Sequence, residues 1–171
     1  MQLIRCTAKL RKEMGLSKKD LFEGASPKGR FGQWHANLIY IFGRKCVVFI
    51  NDRTLLNFIQ PDVRRAQIRT LDDLFRDGLR PVLEDQDLTQ EQMDAIMSEY
   101  REVDYAKSND RSVLGSLNEV AFQYEYHLKA LGRVTPEDVR FRIYQTNRMP
   151  MGAQDYATGS QALHEYVEKY L

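Results

Sequence analysis

Apolar residues follow two different rhythms along this chain. A period of two dominates the first sixty residues, and a helical period dominates from residue 71 onward. Gln2–Cys6 has strand character, with Leu3 and Cys6 inward. Thr7 is placed to cap a helix running to Met14, and Gly15 is a natural stop. Within residues 16–33, the polar stretch Glu23–Gly32 contains Gly, Ser and Pro and is the best candidate for a mobile loop. Trp34–Phe42 and Lys45–Asn51 carry the strongest strand signals, being dense in aromatic and β-branched residues. Gly43-Arg44 between them predicts a hairpin. Asn51-Asp52-Arg53 predicts a second turn and Thr54–Ile59 a third strand, ended by Pro61. Connections this short favour antiparallel pairing.

Leu71, Leu74, Phe75, Leu79, Val82 and Leu83 recur at helical spacing, with Pro81 expected to kink or split the helix. Thr89-Gln-Glu-Gln92 has the form of a capping box and opens a helix with Met93, Ile96, Met97 and Tyr100 on one face. Residues 102–106 suggest a further strand. Residues 109–131 form the longest helical pattern, capped by Ser108 or Asn109 and stopped by Gly132. Phe122 lies opposite its apolar stripe, with Tyr126 nearby. Such a helix is central or faces a partner. Residues 139–144 alternate apolar and basic side chains and are assigned to a strand, although Thr135-Pro-Glu-Asp138 resembles a helix start. Residues 147–159 are assigned to a loop and 160–171 to a terminal amphipathic helix.

These elements predict one α+β domain over residues 1–171. Its small, mainly antiparallel sheet comes from the N-terminal third and is covered by amphipathic helices. Composition supports this: 43% apolar and 29% charged residues are ordinary for a globular chain. A chain this long buries roughly 70% of its unfolded surface and needs no metal or disulfide to fold. Cys6 and Cys46 share no CxxC spacing and are expected as buried thiols. Two Cys and three His scattered along the chain imply no metal site, and no cofactor motif is present. Charge at Arg5 and Lys9 argues against a secretory leader. Apolar runs such as Leu38–Phe42 fall far short of the ~20 residues that span a membrane. The expected location is therefore cytoplasmic.

Charge is distributed unevenly. Residues 1–69 hold 14 Lys/Arg against 5 Asp/Glu, and residues 70–104 hold 3 against 11. Either the acidic helices pack on the basic half and neutralise it, or a basic face is left for an anionic partner such as nucleic acid.

The polar clusters are few. Asn51-Asp52-Arg53-Thr54 and Asn109-Asp110-Arg111-Ser112 repeat one pattern, and Asn147-Arg148 echoes it. Asn and Asp in such positions build turns and caps. Should they meet in space, Arg53, Arg111 and Arg148 would hold a phosphate or carboxylate in bidentate fashion. His35 and Asn37 share one face of their strand, and His35 is suited to general base chemistry near neutral pH, with Asp52 or Asp110 as acidic partner. No P-loop, dinucleotide fingerprint, HExxH or GxSxG is present.

Five blocks carry a resemblance: residues 4–10, Trp34-His-Ala-Asn-Leu38, residues 44–51, residues 111–119 and Asn147-Arg-Met-Pro-Met-Gly-Ala153. Together they resemble an uncharacterised bacterial family of small stand-alone proteins, domain of unknown function 6933. The resemblance implies a single domain and a bacterial or phage source, and carries no catalytic residues. Three functional readings follow. The first is a binding or regulatory module acting on a protein partner or on itself, with Phe122 and Tyr126 at the surface. The second is a nucleic-acid-binding or nuclease-like toxin or defence protein using the basic half. The third is a small-molecule enzyme built on His35.

Overall fold

A computed structural model describes residues 1–171. Five strands form one sheet in the order β4-β3-β2-β1-β5. They are β1 (Gln2–Cys6), β2 (Trp34–Ile41), β3 (Arg44–Asn51), β4 (Asn57–Gln60) and β5 (Val103–Lys107). The eight-residue β2–β3 ladder and the four-residue β3–β4 ladder are antiparallel, as short turns require. β1 runs parallel to both β2 and β5. A parallel neighbour needs a crossover of a dozen or more residues, and residues 7–33 and 61–102 supply the two. The sheet is thus α+β as expected, but mixed; the short-turn argument covered only β2 to β4.

Seven α-helices cover the sheet: α1 (Ala8–Met14), α2 (Arg65–Arg69), α3 (Leu71–Glu84), α4 (Gln90–Glu99), α5 (Arg111–Leu131), α6 (Pro136–Thr146) and α7 (Gly159–Tyr170). Strand alternation sends Trp34, Ala36 and Leu38 to one face and Ile41, Val48 and Ile50 to the other. On the first face Trp34, Phe49, Phe58, Phe75 and Tyr100 pack ring against ring, with neighbouring centroids 4.8–6.4 Å apart. Helices α1 to α4 and α7 close that core. On the second face α5 lays Val113, Leu117, Val120, Tyr124 and Leu128 on β2 and β3, and α6 adds Val139.

Four local expectations change. Residues 136–146 form a helix, not a strand. Thr135 accepts the Asp138 N–H, Pro136 begins the first turn, and Val139 and Thr146 are buried at helical spacing, while Phe141 is exposed. The alternation of apolar and basic residues there is incidental. Pro81 does not split α3, because it lies in the last turn and removes a single hydrogen bond, the one to the Asp77 carbonyl. The cap of α5 is Asp110, one residue later than expected. The polar stretch Glu23–Gly32 is tethered at several points. Glu99 accepts from Gln2 Nε2 and from the Arg30 and Phe31 N–H groups, and Arg5 donates to Ser26 Oγ at 3.0 Å.

One contact ties the two helical layers to the sheet edge. Asn147, fully buried after α6, accepts the Asn57 N–H through Oδ1 and donates through Nδ2 to the Asn57 carbonyl, both at 2.8 Å. Its side-chain amide acts as one residue of a sixth strand. Replacing Asn147 with Ala leaves both edge groups unpaired in the interior and should cost about 2–4 kcal/mol, read from the urea midpoint at unchanged m-value. An unchanged midpoint would show that the edge pairing contributes nothing.

Candidate functional site

The first Asn-Asp-Arg-Thr copy is a turn. Asn51 Oδ1 accepts the N–H groups of Arg53 and Thr54 and the Thr54 hydroxyl, while its Nδ2 donates to the Phe31 carbonyl. Asp52 accepts the Gln33 N–H, and burial pushes its carboxyl up. Gly32 opposite has φ +77°, and a Cβ there would stand 2.2 Å from Asp52 Oδ1, so only glycine lets this turn close. The second copy caps α5: Asp110 Oδ1 accepts from Ser112 and Val113.

The three arginines do not converge. Arg53 donates to the Arg30 carbonyl and lies over the Tyr166 ring. Arg111 is exposed on the first turn of α5. Arg148 stacks on Tyr144 at 3.5 Å and reaches the Asp85 carbonyl. Asn37 Oδ1 accepts the Thr7 hydroxyl at 2.7 Å. His35 is buried beneath the α5 layer, and its Nδ1 has no hydrogen-bond partner. Desolvation, helped by the nearby Arg5 charge and opposed by Asp110, lowers its pKa to about 4. It lines none of the four principal hollows, so a His35-based reaction has no chamber among them. Phe122 and Tyr126 are each 61% exposed and stack at 6.1 Å on the outer side of α5. Cys6 and Cys46 belong to cores on opposite faces of the sheet, and burial pushes both thiols up, Cys6 to about 12.

The largest of the four principal hollows lies elsewhere, at the β4 edge of the sheet between α3 and α6, with a volume of about 860 Å3. Ile41, Cys46 and Ile59 form its floor, Gly78, Pro81 and Val82 one wall, and Val134, Val139 and Ile143 the other. Its size and mostly apolar lining are those of a ligand pocket. Two ion pairs stand at its rim. Arg140 grips Asp85 with two hydrogen bonds of 3.0 and 2.8 Å, and Arg44 meets Asp62 at 2.7 Å. The floor also carries backbone polarity. Asn57 turns its N–H and C=O away from β3 to meet Asn147, and antiparallel alternation turns those of Ile59 the same way, toward the groove. Pro81 leaves the Asp77 carbonyl without its helical donor on the α3 wall.

Sequence reasoning missed this groove. Its residues come from five separate elements, and none carries a chemical signature by itself. The one available signal was Pro81 inside an amphipathic pattern.

A family model, described as a domain of unknown function (DUF6933), matches residues 3–162. The chain belongs to that family. Neither a search of curated proteins nor one of solved structures finds a match. The matched residues take in nearly the whole sheet and helices α1 to α6, and so include the groove.

The buried His35 has a measurable consequence. Unfolded, it takes a proton near pH 6.5; folded, it stays neutral to about pH 4. The unfolded chain binds more protons between these values, so His35 makes stability fall as pH drops through that window. The loss should reach about 2–3 kcal/mol by pH 4.5, and the His35→Gln variant should lack this component in urea titrations. Equal pH slopes for both proteins would show that His35 is protonated in the folded state.

Proposed function

We propose that this DUF6933 protein is a binding module without catalytic chemistry of its own. Its partner is a protein that presents a short extended segment to the sheet-edge groove. The observation that carries this reading is the pairing of an apolar groove with the outward N–H and C=O of Ile59 on its floor. One residue of an incoming strand satisfies both groups, and one apolar side chain enters the space between Val82 and Val139. Asn147 on one side and Pro61 on the other limit the open edge to this single residue, which suits a short segment and discourages sheet-to-sheet aggregation. Burying one Leu- or Phe-sized side chain contributes about 1.5–3 kcal/mol.

The test is selection from a random peptide library, followed by titration of the enriched peptides. Val134 stands half-buried on the wall, so Val134→Trp should obstruct the groove, keep the fold and weaken peptide binding roughly tenfold or more. Ile59 should gain amide-exchange protection when peptide is bound. No enrichment, or equal binding by the Trp variant, would remove the reading.

A second reading has one specific observation behind it. No ion pair joins the basic residues 1–69 to the acidic residues 70–104. Lys9 and Lys12 on α1, Arg64 before α2, and Arg65 and Arg69 on α2 remain exposed on packed helices. Glu13 among them is engaged by Lys45. Such a surface suits nucleic-acid phosphates. Low-salt gel shifts with RNA and DNA should show binding, and R65Q/R69Q should lower the salt slope by roughly 0.9 per lost phosphate contact. Absence of retardation at low salt would exclude it.

A further inference from the structure

Helices α5 and α6 pack against each other on the second face of the sheet, and a separate hollow of about 270 Å3 lies between them. Gln123 and His127 of α5, Arg142 and Thr146 of α6, and Arg148 just beyond line it, and no carboxylate does. Neither Arg142 nor Arg148 takes part in any ion pair. The neighbouring carboxylates are engaged elsewhere: Asp138 receives Arg133 and Thr135, and Asp85 receives Arg140. Arg142 is half-buried, and its Nε has no hydrogen-bond partner. A guanidinium cannot escape the cost of burial by losing its proton, so an unpaired, partly desolvated one is stable only against the surplus of the fold. Arg148 donates to the Tyr144 and Asp85 carbonyls but meets no carboxylate, so two guanidinium charges face one carboxylate-free space and ask for an anion.

The donor chemistry narrows the class. The unpartnered Nε–H of Arg142 and the N–H groups that Arg148 does not spend on the Tyr144 and Asp85 carbonyls point from two directions, which the several oxygens of a tetrahedral oxyanion meet better than a planar carboxylate does. The hollow is several times the ~30 Å3 of a water molecule, enough for that group and its hydration. We propose that this hollow binds a phosphate group, held between Arg142 and Arg148, with His127, whose Nε2 pairs with Gln123 Oε1 at 3.1 Å, beside it. Arg148 also lines an adjoining, more open hollow with Thr158, Ser160, Gln161 and His164, where the organic part of a phosphate ester would extend. Glu165 also lines that second hollow, away from the phosphate position. His127 has its pKa lowered by burial and by the Arg142 charge, and a bound anion reverses the second of these. The site is independent of the sheet-edge groove and stands whether or not that groove takes a peptide.

The experiment follows the Arg142 Nε–H resonance of the full chain during titration with inorganic phosphate, phenyl phosphate, acetate and chloride at constant ionic strength. Phosphate or its ester should give a saturable shift, and R142Q and R148Q should each weaken binding about tenfold or more. Tighter binding of phenyl phosphate assigns the site to a phosphomonoester, and tighter binding of inorganic phosphate assigns it to the free ion. R142K, which keeps the charge and loses the fork, should fall between wild type and R142Q; it replaces R142Q should that variant fail to fold. An absent shift, an equal response to chloride, stronger binding of acetate, or wild-type affinity in the arginine variants overturns the proposal.

Discussion

A sheet covered on both faces can meet other molecules only at its edges, and this constraint governs the protein. Cys46 to Asn51 of β3 are all buried, and the hydrogen bonds of that strand are spent on β2 and β4. Helices close one face with an aromatic core and the other with an aliphatic one. At one edge, β5, the Phe22 N–H meets the Tyr105 carbonyl; the other edge is the far side of β4. There the molecule makes a choice residue by residue. Asn57 is sealed by the Asn147 amide, Ile59 is left facing a groove, and Pro61 has no N–H to offer.

The same constraint explains why the polar clusters are mostly architectural. A mixed sheet needs long crossovers, and each crossover must be pinned where it meets the strands. Asn51 and Asp52 fasten residues 31–33 onto the end of β3. Glu99 fastens residues 30–31 to α4, and Arg5 holds Gln33 and Ser26. These side chains resemble a binding set in composition, yet their hydrogen-bonding capacity is taken up by backbone. Arg142 differs in that its half-buried Nε has no hydrogen-bond partner, and this difference distinguishes a candidate anion site from a structural cluster.

Several elements were legible from local pattern. The β2–β3 hairpin, the Thr89 capping box, the long α5 and its Gly132 stop each rest on short-range chemistry: β-branched alternation, a reciprocal cap, a left-handed glycine. Where local signals conflicted, the pattern misled. Val139, Phe141 and Ile143 alternate like a strand, but burial chose Val139 and Thr146 and left Phe141 in solvent. The exposed Phe122 and Tyr126 were visible in the sequence because α5 has a single apolar stripe and they lie off it.

By itself the sequence determined most of the element types, the inward thiols, the uneven charge and the absence of a long apolar helix. All of these depend on neighbours within a few residues or on composition. Only the tertiary structure decided that β1 enters the sheet in parallel, that Asn147 reaches Asn57 ninety positions away, and that Arg148 keeps company with Arg142 and His127 rather than with Arg53 and Arg111. The physical reason is the same in each case. Such pairings are set by where two packed helical layers leave space and unpaired polar groups, and no local window of the chain contains that information.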